Sequence, residues 1–271
     1  MVSCGASGRK MAGSRCIGAA VAAVVMACAP RAAAQDLFEI QVYPYETVEP
    51  HTTMVEFHTN FFPSAHAAPL SGEFALHHQA HATLEVTHGF TQYFELAGYL
   101  VTAPYVPGDA GEFAGIRIRP RLRFPKLSHF PFNVSVSFEV GFNASAFEPN
   151  TRTLEFRPIL ERSDGRLYVS INPDLALALK GPDSGTAPAF EPGVKISWET
   201  VPRVAIGVEY YGAAGPITRF EKGSEQRHLL FPTLDLNVSP DWELNFGVGR
   251  GLTDASPQWV LKSIVGYRFK H

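Results

Sequence analysis

Between Gly72 and Ala103 the chain alternates between apolar and polar residues. Leu76, Ala80, Ala82, Leu84 and Val86 share one parity, and His77, Gln79, His81, Thr83 and Glu85 share the other. A two-residue period held over this length describes a strand with one apolar and one polar face. After Thr87-His88-Gly89, which reads as a tight turn, Phe94, Leu96, Gly98 and Leu100 oppose Tyr93, Glu95, Ala97 and Tyr99 in a second arm. The pattern then repeats to the end of the chain. From His51 on it predicts about twelve strands, near 51–61, 73–87, 91–103, 113–124, 132–145, 152–162, 166–178, 189–199, 203–212, 227–238, 242–250 and 258–269. Strands of roughly ten residues or more cross a bilayer when tilted.

The connections alternate as well. His88-Gly89, Ser163-Asp164-Gly165, Val201-Pro202 and Ser239-Pro240-Asp241 are short, and Pro125 to Pro131 is somewhat longer. The intervening links, such as Lys180 to Pro188 and Ala213 to Gln226, are long and rich in Gly, Pro, Ser and Asp. Short turns on one side and long loops on the other are the signature of an outer-membrane barrel. On one parity lie Ile116, Ile118, Leu122, Val134, Val136, Phe138 and Val140. On the other lie arginines, Ser135, Ser137, Glu139, Tyr168, Ser170, Asn172 and Asp174. Alternation alone fits a soluble barrel with the faces reversed. Strand length and loop asymmetry favour the membrane form: an all-β, up-and-down antiparallel transmembrane β-barrel over 51–271. Residues 35–50 read as a periplasmic lead-in, in which Phe38, Ile40 and Val42 alternate until Pro44 interrupts them.

Residues 1–34 are a different material. Arg9, Lys10 and Arg15 precede an apolar core from Ile17 to Ala29, and Ala32-Ala33-Ala34 precedes Gln35, as in a cleaved secretory signal peptide. A second, lipoprotein-type reading rests on Val25-Met26-Ala27-Cys28, which Met26 fits poorly. Cys4, Cys16 and Cys28 all lie in this leader, so the remaining chain carries no disulfide framework. Removing the leader's four basic residues and no acidic one takes the net charge from −3 to about −7, which argues against nucleic acid as a partner. No later run is long and apolar enough for a membrane-spanning helix.

Two features qualify the barrel. Trp259, Leu261, Val265, Tyr267 and Phe269 share a parity, and the last strand partly matches the signal read by the barrel-assembly machinery, with Lys270 and His271 extending past the final aromatic. Pro120, Pro158, Pro173, Pro192 and Pro232 fall inside strands, on the apolar parity, where a missing ladder donor predicts local bulges.

The sharpest cluster of candidate chemistry is Arg117, Arg119, Arg121 and Arg123, four guanidiniums on one inward face. Folding the neighbouring hairpins about their turns sets Glu95 opposite Arg121 and Glu139 opposite Arg117, with Glu155 also inward. This describes either an ion-pair network that fills the lumen or a basic stripe along a pore that favours anions. His58, His77 and His81 share the inward parity near Glu56 and Glu85, a set suited to zinc or copper, although polar lining of the lumen is the simpler and favoured reading. No G-x-S-x-G or H-E-x-x-H motif is present, so no catalytic residue and no cofactor is assigned.

The run His81 to Leu96 (HATLEVTHGFTQYFEL) resembles outer-membrane barrels grouped with the transporter-like proteins of the phenol meta-cleavage pathway. The likeness lies in an alternating strand, a Gly-Phe-Thr turn and an aromatic-Glu strand. It implies passage of small, aromatic solutes across the outer membrane, to which the arginine stripe adds anionic ones, and supplies no binding residues. The expected partners are outer-membrane lipid, the assembly machinery and a small solute. The rival reading is a non-conducting structural or binding barrel plugged by Arg–Glu pairs, and an envelope hydrolase ranks behind both.

Overall fold

The computed structural model describes Met1 and residues 37–65, 72–126 and 128–271; apart from Met1, the leader expected over 1–34, with its cysteines, lies outside the described residues. Twelve antiparallel strands close into one barrel. They are β1 (Thr52–Ala65), β2 (Ala80–Thr91), β3 (Phe94–Tyr105), β4 (Glu112–Arg123), β5 (Asn133–Asn143), β6 (Arg152–Asp164), β7 (Leu167–Lys180), β8 (Ala189–Val201), β9 (Val204–Ala213), β10 (Arg227–Leu236), β11 (Trp242–Gly251) and β12 (Pro257–Lys270). Each strand pairs with its sequence neighbours, and β1 closes on β12 through pairs such as Phe57 with Val265. Closure leaves no unpaired edge, which is what lets strands lie in lipid at all.

The side chains sort as a membrane barrel requires. Leu84, Leu96, Leu100, Ile116, Ile118, Val208 and Leu261 face outward and exposed, while Glu85, Glu95, Arg119 and Glu209 are buried inside. Exposed aromatics gather at both ends of the strands. Phe90, Tyr93, Phe124, Trp198, Trp242 and Phe269 lie toward the short turns, and Tyr105, Phe113, Phe142 and Trp259 toward the long loops. Two such girdles mark the lipid–water interfaces.

Three expectations need correction. The first hairpin turns at Gln92-Tyr93, not at His88-Gly89, because β2 runs on to Thr91. Gly89 serves a close approach instead of a turn: a Cβ there would lie 2.2 Å from the Glu49 carbonyl oxygen and 2.3 Å from that of Val48. Second, β2 begins at Ala80, not near residue 73. The chain before it turns at His77-His78, with His78 at φ 62°.

Third, the prolines produce no bulges. Leu96–Pro120, Val136–Pro158, Pro173–Pro192 and Val208–Pro232 are in unbroken register, and the register shifts that occur lie toward strand ends. In an antiparallel ladder a residue's N–H points to one neighbour only. The loss is therefore confined to one side, where pairing lapses and resumes in the same register. β6 and β7, for example, separate between Phe156–Leu175 and Leu160–Ile171, and Pro158 and Pro173 share that lapse.

The 35–50 lead-in is also placed differently. Among the described residues, 37–50 lie inside the barrel: Phe38, Ile40, Val42, Tyr43, Tyr45 and Val48 are buried. Phe38 packs on Val101, Ala103, Val106 and Ala114. Ile40 and Val42 pack with Phe62, Tyr211, Leu229, Phe231 and Val260. The lumen is thus apolar toward the long loops, and the wholly polar interior expected from parity holds only toward the turns.

The Phe231 ring occupies space that Gly249 leaves open; a Cβ at Gly249 would lie 2.3 Å from its Cζ. Gly249→Ala is expected to destabilise the folded barrel by ~1–3 kcal/mol, and Phe231→Leu in the same chain to restore most of that. Urea unfolding in lipid vesicles, read by Trp fluorescence, checks both.

Candidate functional site

The inner segment is held mainly through its backbone. Asn60 Nδ2 donates to the carbonyls of Leu37 (3.2 Å) and Phe38 (3.0 Å), and Thr83 Oγ1 also donates to Phe38 (3.2 Å). Lys262 Nζ donates to the Ile40 carbonyl at 3.1 Å. Asn172 accepts from the Tyr43 N–H at 2.6 Å, and Ser170 donates to the Tyr43 carbonyl at 2.7 Å. The Tyr45 and Val48 N–H groups donate to Glu161 (2.7 Å) and Glu95 (2.6 Å). Arg121 donates to the carbonyls of Pro44 (3.1 Å) and Glu46 (2.9 Å). An extended strand without a ladder partner must satisfy its amides by some such means.

The arginine ladder does what alternation on β4 allows: its guanidiniums point inward in a row. Arg119 binds Glu85 at 2.6 Å and Glu95 at 3.1 Å, donates to the Tyr99 hydroxyl, and lies 4.6 Å over the Tyr43 ring. Arg121 binds Glu95 at 2.7 Å, and the two are directly paired across β3 and β4 as expected. Arg117 reaches Glu139 at 3.3 Å on a diagonal, its direct cross-strand partner being Gly141. Arg123 pairs with Glu46 of the inner segment. Glu155 pairs with Arg157, which binds Asp174 at 2.8 Å and lies 4.2 Å over the Tyr43 ring. With Arg121 5.7 Å from its centroid as well, Tyr43 meets three buried guanidiniums through its ring, a favourable cation–π arrangement when desolvated.

Sequence reasoning missed a second charged cluster. Glu209 binds Lys262 and, at 3.1 Å, Lys195, which also binds Asp235 at 2.7 Å. Its signal was present, since all four residues sit on the inward parity of β8, β9, β10 and β12. Tyr43 and the inner segment were missed because their partners are single side chains scattered around the wall.

The histidines separate. His81 stacks on Phe38 (centroids 3.8 Å apart), with Nδ1 3.1 Å from the Leu37 carbonyl and Nε2 2.7 Å from Gln79. His77 is exposed in the turn before β2, its ring 3.9 Å from that of His78. His58 lies buried beside Glu85, with Nε2 3.3 Å from Oε2. The three histidines do not converge on one point: His77 lies before β2 begins at Ala80, and His81, paired with Asn60, is taken up by Phe38 and Gln79.

Toward the short turns the lumen opens into a cavity of about 1020 Å³. Its wall includes Arg123, Arg166, Lys195 and Arg268 together with Glu56, Glu95, Glu199 and Glu243, and residues 41–44 and 46–50 border it. Its lining is mixed in sign.

No family model and no curated protein matches the sequence, so the resemblance of the 81–96 hairpin rests on that hairpin alone. Solved structures share the fold. The COG4313 outer membrane channel from Pseudomonas putida F1 aligns with TM-score 0.61 at 12% identity, covering 85% of this chain and 100% of that one. The NanC porin gives 0.54 at 9%, covering 80% and 100%. The KdgM porin in complex with disordered oligogalacturonate gives 0.53 at 15%, covering 80% and 99%.

Breaking a buried pair leaves a charge uncompensated, whereas an exposed pair contributes little. Arg119→Ala is therefore expected to cost ~3–5 kcal/mol of barrel stability. Arg123→Ala, whose partner Glu46 is 54% exposed in its side chain, is expected to cost under ~1 kcal/mol. Urea midpoints of the two variants, compared under one set of conditions, check the difference.

Proposed function

We propose that the chain is an outer-membrane channel giving small solutes a narrow route, with residues 37–50 as its internal gate. The observation that carries this is the turn-side cavity, which is bounded inside the barrel by the gripped segment. The shared fold with outer-membrane channels and porins supports the reading. In this reading residues 1–34 direct export, β12 engages the assembly machinery, and the outward face meets lipid.

The gate itself indicates the solute. It fills the loop-side half with Phe38, Ile40 and Val42 and the turn-side half with Tyr43, Glu46 and backbone amides. A small molecule with an apolar ring and a polar or anionic group would meet the same two surfaces in the same order. Arg117, Arg119 and Arg121 would then act through their ion pairs, as rigid lining, and the cavity residues Arg123, Arg166 and Arg268 as the attraction for an anionic group.

Deleting residues 37–48 is expected to raise single-channel conductance in planar bilayers severalfold. A barrel that remains silent after the deletion supports the rival reading of a non-conducting barrel and overturns this one.

Glu39, buried within the gate, adds a pH dependence. Burial, reinforced by Glu139 and Glu85, raises its carboxyl pKa well above the usual range, and Arg157 and Arg117 only partly oppose this. The docked gate thus holds the proton that a released Glu39 gives up. Its contribution to docking is complete below about pH 4.3 and is lost as pH rises through the raised value. Open probability is expected to increase as pH rises above the ordinary carboxylate range and through the raised value; Glu39→Gln should flatten that profile.

A further inference from the structure

Glu56 on β1 and Glu85 on β2 are direct cross-strand partners, and both point inward. Like charges so placed repel, more strongly where water is scarce. Arg119 and Thr87 occupy only one oxygen of Glu85, Oε1, at 2.6 and 2.7 Å. The other, Oε2, accepts no hydrogen bond and faces His58. His58 is 1% exposed; its Nε2 has only the 3.3 Å contact with Glu85 Oε2, and its Nδ1 has no hydrogen-bond partner. Buried imidazoles normally find partners, so an orphaned one asks for an explanation.

The geometry offers one. A carboxylate oxygen of Glu56, one of Glu85 and a ring nitrogen of His58 lie within 4.8 Å of one another. On the far side of Glu56 the paired residue of β12 is Gly266, and the space its missing side chain leaves is taken by Glu56 itself and by Met54, whose Cγ and Cε respectively lie 2.9 and 2.8 Å from where a Cβ would stand. Glu56 also borders the turn-side cavity, which gives an ion a path to the three groups.

We propose that Glu56, His58 and Glu85 bind one divalent transition-metal cation of the zinc class, reached from the turn-side cavity. Calcium and magnesium favour all-oxygen shells, whereas one imidazole with two carboxylates suits zinc. Three protein ligands leave a fourth position for water from the cavity. The bound cation offsets the repulsion between the carboxylates and ties β1 to β2. The site does not depend on whether the barrel conducts.

The test uses untagged, refolded protein in detergent, titrated with Zn²⁺ by calorimetry and with Co²⁺ by visible absorption. One equivalent per barrel is expected. Glu56→Gln should weaken binding by at least about tenfold, and His58→Gln should remove the Co²⁺ band given by the imidazole ligand. His77→Ala/His78→Ala should change neither. Heat-dependent gel mobility confirms that each variant is folded. If His58→Gln fails to fold, Glu56→Gln decides, because that side chain borders open space. Absence of binding overturns the proposal. So does binding that survives Glu56→Gln and disappears with His77→Ala/His78→Ala, which would assign it to the exposed histidine pair.

Discussion

The guanidinium of Arg119 joins parts of the molecule that the backbone ladder does not. It projects from β4, holds Glu85 of β2 and Glu95 of β3, and covers the ring of Tyr43 on the inner segment. Glu95 in turn accepts the Val48 amide and binds Arg121, which grips the carbonyls of Pro44 and Glu46. A delocalised cation with several donors in a fixed fork suits this task, and a lysine could not reproduce it. Desolvating so many charges is costly. They are stable here because Glu85, Glu95, Arg119 and Arg121 pair with one another across three strands.

The barrel faces a different medium on each surface. Outside, lipid rewards aliphatic and aromatic side chains and punishes unpaired backbone, so ladder closure is obligatory. The prolines are tolerated because each deprives only one seam of a donor while the other seam keeps the register. Inside, the demand changes along the axis. Toward the loops the wall offers Val101, Phe62, Leu229 and Phe231, which apolar residues of the inner segment cover. Toward the turns it offers paired charges and open volume.

Most of the wall was legible in the sequence. A period of two fixes which residues face lipid, and alternating loop lengths fix the up-and-down topology, so Glu95 opposite Arg121 followed from hairpin folding alone. The Arg117–Glu139 contact was displaced by two residues because the length of the 124–132 connection does not itself set a register. Gly89 misled because glycine signals either a turn or a close backbone approach, and the approaching backbone lies forty residues earlier in the chain. His77 misled because its parity continued past the point where the strand stops. The inner segment was out of reach. Phe38, Ile40 and Val42 announce an extended stretch, but nothing in it names the side chains from the whole circumference that hold it.

Because those side chains clasp amides and carbonyls, part of the inner segment's attachment is independent of which residues it carries. Substitutions at Ile40 or Val42 would change what fills the bore while leaving the anchorage in place. Anchorage and filling are thereby partly separated, so that what occupies the bore can change through the innermost segment while the wall that contains it stays constant.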